Sequence, residues 1–171
     1  MQDENTDNVC KVHLEELYGG YDIPREATVA VLRFLYGSPL FATTEDRSDG
    51  VVDPKTWYGL ILAADSLGMP ALRTHAVHEL EAYVTGLLVD ESTGHLRNEA
   101  SITKFVQAVQ VIFTSLDESE TEARGIVMRL CLKHYKDLEK NETFCALTDA
   151  LPSLLRAMLG YAARHGSELM R

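Results

Sequence analysis

The sequence predicts a mainly α-helical fold, and three observations carry that expectation. An aspartate stands just ahead of a proline twice, at Asp22-Ile23-Pro24 and Asp53-Pro54, and each pair opens an apolar run at helical spacing. Proline is tolerated in a first turn because its missing N–H has no intrahelical partner there, and an aspartate before it can accept from the first amides. Ile102, Phe105, Val106, Val109, Ile112 and Phe113 form the clearest periodic segment of the chain, a strongly amphipathic helix pattern. Against these, only Cys10, Val12 and Leu14, alternating with Lys11, His13 and Glu15, have the period of a half-buried strand. The expected tally is seven helices, with at most a small residual β-sheet.

Taken in order, residues 1–8 are polar and read as a disordered N-terminus, followed by the short strand. The first helix is expected to start at Ile23-Pro24-Arg25-Glu26, with Asp22 as cap and Pro24 in the first turn. It runs to Tyr36, where Gly37-Ser38-Pro39 stops it. Residues 40–52 are rich in Thr, Asp, Ser and Gly and read as a surface loop. After Asp53-Pro54, the residues Trp57, Leu60, Ile61 and Ala64 share a helical face until Gly68 ends the run, and Pro70 opens the next helix at once. That helix places Leu72, Ala76, Leu80 and Tyr83 on one side and Arg73, His75, Glu79 and Glu81 toward water, so the two helices form an antiparallel hairpin.

Residues 85–100 mix small and charged types and read as a linker to a helical extension over 101–165. The extension begins with the amphipathic helix at 101–114 and an acidic link at 115–119. A helix over 120–139 follows, with Ile126, Val127, Leu130 and Leu138 inward and Lys133, His134 and Lys136 near its end, where cations complement the macrodipole. Asn141 caps a short helix with Phe144, Cys145 and Leu147, and Pro152 opens a last one holding Leu154, Leu155, Met158 and Leu159. Residues 166–171 read as a loose tail.

The 171 residues suit one domain with a helical extension, long enough to bury a real core. With 26 acidic against 16 basic residues the formal charge is −10, a field that repels phosphate and argues against direct nucleic-acid binding. Cys10, Cys131 and Cys145 are an odd number without CxxC spacing, which suits a reducing compartment and free thiols. The polar N-terminus is unlike a secretory signal, and no stretch approaches the roughly 20 apolar residues of a membrane span, so an intracellular protein off the membrane is expected.

Catalytic chemistry finds little footing. His75 and His78 are three apart on a helix, but no carboxylate or cysteine at ligand spacing completes a metal set. Cys131 and His134 are helical neighbours that a thiolate nucleophile would use if a third group oriented the base, yet Cys131 lies beside the apolar stripe and reads as a small core residue. Pairs such as Glu15-Glu16 and Glu79-Glu81 sit in solvated patterns with no apolar pocket to raise a carboxyl pKa. There is no GxxxxGK[ST], GxGxxG, GxSxG or HExxH, and Gly19-Gly20 is an ordinary turn. No catalytic residue, cofactor or metal is expected. Trp57 and Tyr58 are open between core and interface roles.

The run Ile23-Pro24-Arg25-Glu26-Ala27, then Val31-Leu32-Arg33-Phe34-Leu35-Tyr36-Gly37, and later Leu62-Ala63-Ala64-Asp65-Ser66-Leu67-Gly68-Met69-Pro70-Ala71-Leu72, resembles the second half of a BTB/POZ domain. In that family a helix ending in a Leu-Tyr-Gly-like sequence is followed by a loop and by two helices joined at an Ala-Asp-x-Leu-Gly-type turn. Residues 105–161, with Arg124-Gly125-Ile126-Val127, are similar to the helical extension of many fungal members. The resemblance covers residues 9–84 firmly and 100–160 loosely, and implies a partial BTB/POZ-like domain lacking the family's opening strands and helix. Thr28 also stands where the family has a large apolar residue.

What the resemblance implies is protein–protein association, with a second copy or another BTB-type chain, and alternatively a role as substrate adaptor for a cullin-type ubiquitin ligase. The expected interaction surface is Phe34, Leu35, Tyr36, Leu40, Phe41, Trp57, Tyr58 and Leu60, on helices left uncovered by the missing front half. The rival from another class is a small metal protein or enzyme using His75, His78, Cys131 and His134.

Overall fold

Caps and glycine stops set where the helices begin and end, and apolar stripes set how they pack. The computed structural model describes residues 23–40, 54–90, 92–115 and 121–169; the expected strand and the loop at 41–52 lie outside them. Among the described residues there are eight helices: α1 Arg25–Leu35, α2 Pro54–Ser66, α3 Pro70–Leu88, α4 Glu99–Ser115, α5 Thr121–Lys133, α6 Tyr135–Leu138, α7 Glu142–Ala150 and α8 Pro152–Leu169. The mainly α fold is as the sequence predicts. No strand occurs among these residues, only an isolated antiparallel bridge between Val89 and Leu96.

Two helices end at the expected glycines for one reason. Ser38 N–H donates to Arg33 O at 2.8 Å and Gly37 N–H to Phe34 O at 3.0 Å, and the same pair recurs as Met69 to Ala64 at 2.8 Å and Gly68 to Asp65 at 3.1 Å. Each arrangement satisfies the last carbonyls with one residue in the left-handed region, and Gly37 and Gly68 hold it at φ +66° and +61°. The starts agree less closely. Pro54, Pro70 and Pro152 are first residues of α2, α3 and α8, and the Asn141 side chain accepts from Phe144 N–H at 3.1 Å. Pro24 instead precedes α1 as its N-cap, with ψ of 141°, so the helix starts at Arg25 and not with proline in its first turn.

Three boundaries differ from those expected, and the simplest is that of α8, which runs to Leu169 and so into the residues 166–171 expected to form a loose tail. Leu72, Ala76, Leu80, Val84 and Leu88 form an unbroken stripe of buried residues four apart, which carries α3 to Leu88 and into the stretch read as a linker. The return to α4 is then a tight turn: Asp90 N–H donates to His95 O and Arg97 N–H to Leu88 O, both at 2.9 Å. The helix expected over 120–139 is broken at His134, which adopts φ −108° and ψ 15°. In a straight helix Leu138 would lie about 80° round from Leu130. The break re-aims the chain, and both residues are buried.

Helix α4 is the centre of the core, packing against α2, α3, α5 and α7. Of the six residues the periodicity predicts, Phe105, Val106, Val109, Ile112 and Phe113 are buried and Ile102 is half-buried against the core, while Ala108, which the pattern does not single out, is buried as well. Helix α1 lies on α2, and α5 lies on α8, where Leu154 and Met158 face inward while Leu155 and Leu159 are exposed. A continuous cluster of buried apolar residues runs from Ala27 on α1 to Met158 on α8.

The α1–α2 contact depends on an absent side chain. A Cβ on Gly59 would stand 2.5 Å from Cδ of Pro24 and 3.2 Å from Cβ of Ala27, both on constrained backbone. Gly59→Ala is therefore expected to destabilise the chain by about 1–3 kcal/mol through overpacking, although alanine is the better helix former. Urea unfolding would check it, and a more stable variant would show that α1 moves aside freely.

Candidate interaction surface

Helix α1 carries apolar residues on opposite sides. Ala27, Ala30 and Val31 are buried against α2, and Phe34 is half-buried on the same side. At about 100° per residue, Val29, Leu32 and Tyr36 fall on the far side of the helix. They are 40, 51 and 84 % exposed, and Leu35 on the flank is 60 % exposed. Since the inward face is already filled, the outward residues do not serve this chain's own core. Apolar exposure grouped on one side of a helix differs from the scattered single residues that are ordinary on a protein surface.

The eight residues expected to form the surface divide sharply. Leu35 and Tyr36 are exposed, and Phe34 is half-buried, its ring 6.2 Å from that of His75 on α3. Leu40, Trp57 and Leu60 are 5, 3 and 0 % exposed, which corrects their expected place on an open surface. The cause lies in the packing of α2. Its Trp57 and Leu60 face is covered by α1, α3 and α4, and the Trp57 ring stands 6.0 Å from that of Tyr83. Tyr58 is half-buried against the core, and Phe41 lies outside the described residues.

Val29 and Leu32 are surface residues that the sequence reading missed. The signal was present: Val29, Leu32 and Tyr36 are spaced three and four apart, in a helix whose Ala27, Ala30, Val31 and Phe34 already make one complete face.

The side chains weighed for catalysis are dispersed. His75 and His78 are exposed on α3, and no group of three or more potential metal-ligating side chains occurs among the described residues. Cys131 is fully buried, and burial pushes its thiol up to about 12, so it holds its proton at neutral pH and is a poor nucleophile. His134 sits at the α5–α6 break with Nε2 buried and without a hydrogen-bond partner among the described residues. Partial burial, aided by Lys133, lowers its pKa, which weakens it as a base.

Two ion-pair systems stitch the helices around α3. Arg73 pairs with Asp65 at 2.9 Å and with Glu122, tying α3 to α2 and α5, and Arg129 on α5 pairs with Glu81 on α3. These partly exposed pairs contribute little each, and two of them link α3 to α5.

What the fold and this surface define is an α-helical protein in which α1 presents an outward apolar face. No described helix is long and apolar enough to cross a membrane. Compared with family models, curated proteins and solved structures, the chain matches none.

Proposed function

We propose that this chain is a protein–protein interaction module of BTB/POZ type that associates with a second copy of itself through the outward face of α1. The observation that carries the reading is the double-sided character of α1: Val29, Leu32, Leu35 and Tyr36 remain exposed while the inward stripe is complete. The order of sequence segments from Ile23 to Leu72 supports the kinship, and the turn at Gly68 supports the hairpin it implies. Catalysis is left out of the reading because the best-placed nucleophile, Cys131, is a buried protonated thiol.

Light scattering across a concentration series tests it. The full chain is expected to form a discrete dimer that dissociates on dilution. In the double variant Leu32→Asp/Tyr36→Asp the dimer should be lost, and its thermal unfolding should match that of the unmodified chain diluted to the monomer, because both side chains lie outside the core. A chain that stays monomeric at every concentration would overturn self-association. A pull-down with a full-length BTB protein or a cullin would then test hetero-association.

A further inference from the structure

A groove of about 570 Å³ opens where α5 and α8 pack together beside α3. Its volume lies within the range of built binding sites, roughly 300–1,000 Å³. Three arginines, Arg124, Arg129 and Arg164, line it in a chain whose acids outnumber its bases by 26 to 16. The two glutamates of the lining are already engaged, Glu81 by Arg129 and Glu122 by Arg73. Arg164 has no carboxylate partner among the described residues: its Nε donates to Gly160 O at 3.1 Å, which pins the stem and leaves the terminal Nη groups to a ligand. A guanidinium held this way offers paired N–H donors at the spacing of a carboxylate.

The rest of the groove is not ionic. The rings of Tyr161, one turn before Arg164, and of His165, the next residue, lie 4.5 Å apart between centroids with their planes tilted by 31°, and Val77 and Ile126 add aliphatic surface. The site thus joins a cationic point to an apolar platform. Polyphosphate suits it poorly, since a dense row of anions needs several unpaired cations and Arg129 is already paired with Glu81. We infer that this groove recognises an acidic peptide segment of a partner protein, one carboxylate on Arg164 and a neighbouring apolar side chain on the Tyr161–His165 platform. No residue of α1 lines it, so this inference stands or falls separately from association through α1.

The test is fluorescence anisotropy on the full chain with a fluorescein-labelled hexapeptide alternating Glu and Leu. Saturable binding that weakens as salt rises is expected, and Arg164→Ala should weaken it by about tenfold, with Arg164→Lys intermediate because lysine cannot offer the bidentate pair. Arg164 is exposed, and a thermal melt confirms that the variants fold. The inference is overturned if the peptide does not bind, if Arg164→Ala binds it unchanged, or if a Lys-Leu hexapeptide binds equally well. It is also overturned if an unlabelled peptide of residues 1–8 of this chain displaces the probe more strongly than the unlabelled Glu-Leu peptide does, which would assign the groove to an internal segment.

Discussion

Phe105→Ala is expected to lower the free energy of unfolding by about 3–5 kcal/mol, the usual cost of deleting a buried aromatic ring. Phe105 is fully buried on α4, and α4 packs on four other helices, so the void left behind has no single neighbour able to collapse into it. A protein of this size has roughly 5–15 kcal/mol in total, so the loss would bring the variant close to unfolding at physiological temperature. Urea unfolding followed by circular dichroism measures it. The large cost separates a well-packed core from a loosely collapsed helical one, in which the same deletion would be tolerated. A change under about 1 kcal/mol would mean that α4 is not the centre of a close-packed core.

That α4 is central was legible from the sequence because a long amphipathic run leaves few alternatives: once the helix forms, its apolar stripe must face the core. Asn141, Gly37 and Gly68 were legible for a different reason, since each does a job that few residues do, a side-chain acceptor or a left-handed turn. Association surfaces have no such local signature. Trp57 and Leu60 have the composition of an interface and are buried, because what decides is whether another helix covers them. The reverse holds on α1, whose inward face is built on Ala27 and Ala30. Small residues permit the close approach of α1 to α2 at Gly59, yet they weigh little in a hydrophobic pattern, so neither the inward face nor the outward position of Val29 and Leu32 stands out in it. The break at His134 and the extension of α3 to Leu88 were hidden similarly, both being set by which side chains reach the core in three dimensions. The groove between α3, α5 and α8 draws its arginines from positions 40 residues apart, and no local motif joins them.

Trp57→Ala separates the two roles that composition alone left open. As a core residue, 3 % exposed and facing Tyr83, its truncation is expected to cost about 3–5 kcal/mol. As an interface residue its loss would instead give a stable monomer. The contrast with Leu32→Asp/Tyr36→Asp is therefore diagnostic: the first variant should lose stability, and the second should lose association while keeping the melting temperature of the diluted, monomeric chain. Trp57 is the only tryptophan, so the emission of the unmodified chain gives an independent reading of the same site. A ring buried among α1, α3 and α4 should emit at short wavelength, resist quenching by iodide, and do so equally at concentrations that favour and disfavour the proposed dimer. Emission that shifts to the red on dilution would show that a second copy covers Trp57, and would return the α2 face to the interface from which its burial removes it.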